Sequence, residues 1–413
     1  MAIEDDDLHV REVWTAVSRQ WYSRASDMAP TTGRLYHHLA ILARPNVVAQ
    51  LFYYAKSLCV PVPFSGTRDS ILTLFKPIMA DTHGKLNAVD CALVRCHGIF
   101  FTGKGTEGLE KARKEFLSNL DLAVAKGARR WLEAGYQIAV TNLCALFGYD
   151  LPANVLIKAF DASTKKAPIP KIVLTDEPTS AESQAASPEK QKSSNANDKN
   201  DPAATMEVKK DVVDPSKHFK KVLQLVESTD RIVFSRLGDL NILSYTIVKL
   251  TFLLAMARLK GPGAGFKAPE KYEKNDFPRT AERRPLPEDW AMRGLVWANP
   301  AKVVFSREYF AVTENMEEDE RMFETPSMGE QRRERCLWLA YQIAQIGTLG
   351  DADKKGEGRW ITYNPDTKMF LPAAEYVSDL EIRPLETELA SISSRQEAGM
   401  EHFLAKKKTK NLS

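Results

Sequence analysis

The chain has 413 residues, 44% of them hydrophobic, enough for one large or two ordinary domains with a real core. Its 57 Lys and Arg stand against 54 Asp and Glu, a formal net charge of +3 that does not mark a nucleic-acid binder, so any basic surface has to come from clustering. The five cysteines are odd in number and set in apolar text, which reads as free thiols in a reducing compartment; the acidic start argues against a signal peptide, and the lack of any uncharged apolar window of roughly 18 residues argues against a membrane span.

Helical spacing dominates from the start. Val10, Val13, Trp14, Val17, Trp21 and Ala25 recur at three- and four-residue steps, which predicts a helix burying one apolar stripe. Pro30 and Gly33 break it. Leu35, Leu39 and Leu42 predict a second helix ending at Arg44-Pro45, and Val48, Leu51, Phe52, Ala55 and Leu58 a third ending at Pro61 and Pro63. Such lengths and short turns indicate antiparallel helix pairs. Trp21-Tyr22 before Pro30 echoes Tyr53-Tyr54 before Pro61, an offset near the tetratricopeptide period of about 34 residues. In that register Gly33 lets neighbouring helices approach and Tyr36 fills the gap between them. Further helices are expected at Arg68–Phe75, Lys85–Phe101, Glu107–Ala125 and Gly127–Phe147.

From about Asp161 to Pro215 the text turns to Ser, Ala, Lys, Asp, Asn and Pro, too poor in apolar residues to offset its ordering entropy; a disordered linker is expected. Helical text returns at Phe219–Val233, Leu240–Leu259 and Arg332–Ile346. Ile242 to Met256 is apolar but interrupted by Lys249 and reads as a buried helix. Arg359 to Tyr363 followed by Asn364-Pro365-Asp366 suggests a small hairpin. The expected organisation is all-α: partial tetratricopeptide-like helical pairs at 1–65, a helical-hairpin region at 66–160, the linker at 161–215, a second helical part at 216–372, and a polar, partly disordered tail at 373–413.

No catalytic, cofactor or metal-binding constellation has useful spacing. Cys91, Cys96 and His97 lack a second Cys/His pair at zinc spacing and read as packed helix residues. His37 and His38 are adjacent, so their rings diverge, one buried and one at the surface. Gly103-Lys104-Gly105-Thr106 lacks the order of a phosphate loop. Pro287, Glu288 and Asp289 suit the first turn of a helix, with Trp290, Met292 and Leu295 buried behind them; the segment reads as a structural corner.

Basic residues cluster three times: Lys111, Arg113, Lys114, Lys126, Arg129 and Arg130; then Arg258 to Arg284; then Arg332, Arg333 and Arg335. Lysine and arginine neutralise phosphates and release counterions, giving affinity for RNA or single-stranded DNA irrespective of sequence. Lys111, Arg113, Lys114, Arg129, Arg130, Arg332 and Arg333 are the candidate nucleic-acid contacts. The bland alternative is a solvated face diluted by Glu107, Glu110 and Glu115.

Longer ordered motifs carry a resemblance. Trp21-Tyr22-x-x-Ala25, Pro30-x-x-Gly33-x-x-Tyr36-x-x-Leu39-Ala40 and Leu51-Phe52-Tyr53-Tyr54-Ala55-Lys56-Ser57-Leu58 with Pro63-Phe64 resemble the Est/Smg-type signature. Arg236-Leu237-Gly238-Asp239-Leu240 is similar to the family's second helical region. Arg284 to Trp297 is similar to a segment of its fungal members, and Arg332 to Leu339 and Gly358 to Tyr363 extend the match across roughly 10–150 and 216–370. The resemblance implies 14-3-3-like tetratricopeptide helical pairs followed by a helical-hairpin domain, in a non-enzymatic scaffold of nonsense-mediated mRNA decay or telomerase recruitment, in the nucleus or cytoplasm. Its expected partners are RNA or single-stranded DNA and other decay or telomerase proteins, with no membrane. The family's phosphoserine-binding residues lie before any stretch resembling Met1, so no phosphopeptide site is carried over, and an N-terminally truncated member is expected. The alternative is a degenerate helical-repeat module that binds only proteins.

Overall fold

The computed structural model describes residues 8–82, 84, 86–158, 215–260, 285–298, 309–310, 323–345, 361–364, 366–367 and 369–372. The expected linker, most of the second basic cluster and the 373–413 tail lie outside the described residues. The chain divides into two compact units, 1–343 and 344–413.

In the first unit, α1 (Leu8–Met28), α2 (Gly33–Leu42) and α3 (Val47–Leu58) form successive antiparallel pairs. Asn46 starts α3 because its Oδ1 accepts from the Val48 and Ala49 amides at 3.1 and 3.0 Å, satisfying two orphan donors. Gly33 is obligatory where α2 begins: a Cβ there would sit 2.3 Å from the Ser57 carbonyl oxygen. Tyr36 fills the neighbouring gap, 3% exposed, its hydroxyl donating to the Pro30 carbonyl at 2.9 Å. The backbones of the two turns echoed in the sequence run side by side, Thr32 bridging to Val62.

Two short helices, α4 (Thr67–Ser70) and α5 (Leu72–Met79), lead into the hairpin of α6 (Ala88–Thr102) and α7 (Leu109–Gly127). Gly103 (φ +67) closes α6 with its N–H on the Ile99 carbonyl, so the glycine-rich Gly103-Lys104-Gly105 is a helix stop and turn. A 3₁₀ turn, Ala128–Arg130, leads to α8 (Trp131–Leu146). Thirteen of the sixteen residues of α8 are buried, so it forms the centre of the unit. Against it pack α3, α9 (Pro215–Phe234), α10 (Leu243–Lys260) and the short α11 (Pro287–Met292). The expected division near residue 65 thus falls at a turn within this unit. Helix α10 is long and apolar enough to cross a membrane, yet most of it is buried against protein. The charge that interrupts it, Lys249, pairs with Asp230 at 2.8 Å.

Residues 285–298 strap this core together. Lys56 Nζ donates to the Trp290 carbonyl at 3.1 Å, the Val296 amide donates to the Cys59 carbonyl at 3.0 Å, and buried Trp297 meets Phe252 edge-to-face. Gly294 (φ +85) passes so close to the turn between α1 and α2 that a Cβ would lie 1.9 Å from the Pro30 oxygen. The remaining helix of this part of the chain is α12 (Met328–Gln345). In the second unit, β1 (Ile361–Asn364) and β2 (Met369–Pro372) form the expected antiparallel hairpin, Ile361 opposite Pro372 and Asn364 opposite Met369.

One expectation about α1 is corrected. Its apolar stripe does not bury: Val10, Val13, Trp14, Val17 and Trp21 are exposed, Trp21 by 65%. The helix presents α2 with its opposite face instead, where Ser23 and Ser26 are buried and Arg19 donates to the Leu42 carbonyl at 3.2 Å. Small and polar side chains let the two helices come close, which leaves the larger apolar ones outward.

Candidate nucleic-acid interface

The candidate basic residues separate into four situations. Lys111 and Lys114 are exposed on the first turns of α7, beside a groove shared with Arg95 and Glu115. Arg113, on the same helix, is held by Glu110 at 2.5 Å. Arg129 and Arg130 follow the other end of α7, a helix whose nineteen residues span about 28 Å, so the first cluster is two separate patches. Arg333 is exposed but paired with Glu330 one turn earlier.

Arg332 is corrected outright. It is 1% exposed, and its guanidinium grips Glu288 bidentately, Nε to Oε1 at 2.8 Å and Nη2 to Oε2 at 3.2 Å, as well as Glu324. Three residues on, Arg335 faces Asp289 at 3.1 Å and accompanies the Tyr309 hydroxyl, which donates to Asp289 Oδ2 at 2.9 Å. Consecutive acids on α11 thus meet arginines spaced i, i+3 on α12. Burial raises the Glu288 carboxyl while the Arg332 guanidinium opposes that; both arginines are raised above their ordinary value, their acidic partners outweighing burial. Charges removed from water persist only with such complete pairing. No phosphate reaches this guanidinium. Glu288 and Asp289 do open α11, the Leu286 amide donating to Asp289 Oδ2 at 2.9 Å, and they serve as buried ion-pair partners as well.

Arg129 and Arg130 are the opposite case. Both are exposed, and neither makes a hydrogen bond or ion pair among the described residues. The turn that carries them is strained: Ala128 has φ +46° and ψ −125°, a region L-residues rarely occupy. That kink between α7 and α8 places the two arginines at the rim of a recess of about 320 Å³. Arg19 from α1, Asn46 and Tyr53 from α3, and Glu133 and Gln137 from α8 complete the lining. The far wall is the buried ion-pair cluster, through Pro287, Glu324 and Arg332. The fold therefore brings Arg129, Arg130 and Arg332 around one hollow, the first two as open cations and the third as wall. Nothing in the spacing of residues pointed to Arg19 or Asn46 in this role, since each lies on a different, distant element.

The remaining polar candidates are structural. His97 is fully buried: its Nε2–H donates to Asn142 Oδ1 at 3.0 Å, and its Nδ1 accepts from the Tyr149 hydroxyl at 2.6 Å. Burial lowers its pKa to about 4, so the ring is neutral and both nitrogens are committed. Cys91 and Cys96 are buried in apolar surroundings that raise their thiols. Among the described residues no cluster of three or more His, Cys, Asp or Glu is placed to hold a metal. His37 is buried in a chain of hydroxyls: Ser57 donates to the Gly33 carbonyl at 2.7 Å, which leaves Thr67 to donate to Ser57 and His37 Nδ1–H to donate to Thr67. His38 is half-buried and stacks on Tyr22, ring centroids 4.6 Å apart.

Residues 18–151 match the family model described as the Est1 DNA/RNA binding domain. A solved structure described as the crystal structure of Est1 and Cdc13 aligns with 85% of this chain at 9% identity and a TM-score of 0.45. The chain spans 64% of that solved chain. No curated protein matches the chain.

Proposed function

We propose, from the match of residues 18–151 to the Est1 DNA/RNA binding domain, that the protein is a non-enzymatic scaffold that binds single-stranded RNA or DNA at the α7–α8 corner. The carrying observation is the pair Arg129 and Arg130: exposed, unpaired among the described residues, and set on a strained turn at the rim of a recess within the matched stretch. Unpaired arginines offer planar donors to phosphate without first breaking an ion pair. The aromatic and apolar walls beneath them suit an unstacked base. In this reading the helical body holds nucleic acid on one face and recruits proteins of telomerase or mRNA decay with others, in the nucleus or cytoplasm. The exposed stripe of α1, with Trp14 and Trp21, is the surface that favours a second reading, a module contacting proteins alone.

The test is binding of a fluorescent single-stranded oligonucleotide across a salt series. Affinity should fall steeply with salt, and the double reversal Arg129→Glu/Arg130→Glu should weaken binding and flatten the log–log slope by roughly one to two units. Binding that ignores both salt and the reversal removes the nucleic-acid mechanism and leaves the protein-only module.

A further inference from the structure

The hollow beneath the arginine rim has an acidic side that phosphate binding does not explain. Glu133 lies on the first turn of α8, exposed, and lines the same recess as Arg129 and Arg130. Its Oε1 accepts from Gln137 Nε2 at 3.0 Å, while its Oε2 has no partner among the described residues. Asn46 uses Oδ1 to cap α3, and its Nδ2 carries no hydrogen bond among the described residues. Tyr53, half-buried, adds an aromatic surface. One cavity thus offers an open carboxylate oxygen, an open amide donor and a ring, with guanidinium groups at its edge.

These groups sort a nucleotide into its parts. A phosphate entering the recess would meet the Glu133 carboxylate and be repelled, but at the rim it meets Arg129 and Arg130. A neutral base carrying an exocyclic amino group presents that carboxylate with a donor. We propose that the recess holds one unstacked nucleobase bearing an exocyclic amino group (adenine, cytosine or guanine) in preference to uracil or thymine, with its flanking phosphates on Arg129 and Arg130. Adenine and cytosine set an amino group beside a ring-nitrogen acceptor, and guanine sets amino and imino donors beside a carbonyl. Each edge offers a donor to Glu133 Oε2 and an acceptor to Asn46 Nδ2. Uracil and thymine have a single N–H between two carbonyl oxygens, so a carboxylate that accepts from it is flanked by an acceptor oxygen on either side, whereas the amino-bearing bases bring a donor without that double repulsion. At about 320 Å³ the hollow is at the small end of ligand pockets, suited to a base and not to a duplex.

This inference rests on the nucleic-acid reading of the same groove, and its test separates the two. The full chain is titrated by fluorescence anisotropy against a labelled oligouridine and against versions with one central adenine, cytosine or guanine. The substituted strands should bind roughly tenfold more tightly, the factor expected of one hydrogen bond to a charged group. Glu133→Gln should bring all four strands to within roughly twofold of one another, with the thermal unfolding curve unmoved because the side chain is exposed. Equal affinity for the four strands, still dependent on Arg129 and Arg130, overturns the base preference and leaves the nucleic-acid reading standing. A preference that survives Glu133→Gln also overturns it. Absence of arginine-dependent binding to any strand takes both down together.

Discussion

Arg129-Arg130 and Arg332-Arg333-Arg335 look alike in the sequence, short arginine clusters beside helical text, and they meet opposite fates. The first pair stands in water on a kinked turn with no counter-charge among the described residues. In the second cluster Arg332 and Arg335 are buried against Glu288, Asp289, Glu324 and Tyr309, and only Arg333 is exposed. The difference lies in what the fold sets opposite. Helix α12 lays its i, i+3 arginines against two consecutive acids of the strap, so their charge is cancelled within the body. At the α7–α8 corner the arginines ride on a strained turn and pair with no acid among the described residues, although Glu133 lines the same recess. A basic cluster therefore measures a binding surface only after its internal partners are subtracted.

The sharpest way to break the comparison is to remove one side of the buried pair. Arg332→Ala leaves Glu288 with no exposure and no bidentate partner, and should destabilise the protein by about 3–5 kcal/mol in denaturant unfolding. Replacing both partners, Arg332→Met with Glu288→Leu, should recover most of that loss, because a matched apolar pair has no charge to desolvate. If the single variant is as stable as the parent, the cluster is not the closed ion-pair network described here.

Much of the helical plan was legible because it is local. The breaks at Pro30, Pro45 and Pro61, the tight approach at Gly33, the gap-filling Tyr36, the helix start at Pro287 and the hairpin after Ile361 follow from residue type and short spacing. The ion-pair cluster was not, since Arg332 and Arg335 find their acids 44 and 46 residues upstream. A usable signal existed: two adjacent acids inside Leu286 to Trp297, a segment whose other residues are apolar apart from Arg293, need buried partners. The α1 stripe misled for a related reason. Periodicity identifies the apolar face of a helix but not which face the neighbouring helix takes, and here α2 takes the one with Ser23 and Ser26. The recess draws on α1, α3 and α8, so only its Arg129-Arg130 edge was visible in one stretch of sequence.

Acid titration is the next largest effect, and it reads the buried polar groups. Folding keeps His97 neutral and lowers its pKa from 6.5 to about 4, so between those values the unfolded chain binds the extra proton. Stability is therefore full above pH 6.5 and declines as pH falls towards 4, by on the order of 3 kcal/mol for this residue. Burial lowers His37, His38 and His218 in the same direction, so the parent's slope is a sum. The comparison of His97→Gln with the parent isolates one contribution: the variant should be less stable at pH 7, where a buried hydrogen-bond pair is disturbed, but lose less between pH 6.5 and 4. Parallel pH curves for the two proteins would contradict the buried, neutral assignment.

The smallest effect on stability belongs to the arginines that matter most for binding. Arg129→Glu/Arg130→Glu removes no ion pair among the described residues and places acids in full solvent, so the unfolding free energy should stay within about 0.5 kcal/mol of the parent. Nucleic-acid affinity should nevertheless fall, because the loss is of phosphate contacts and counterion release rather than of packing. This is the inverse of Arg332→Ala, where stability falls and any loss of binding follows from unfolding. Measuring both variants for both properties makes the contrast a double dissociation. A reversal at the corner that unfolds the protein would mean the strained turn at Ala128 is held by Arg129 and Arg130 themselves, and the two clusters would then be alike after all.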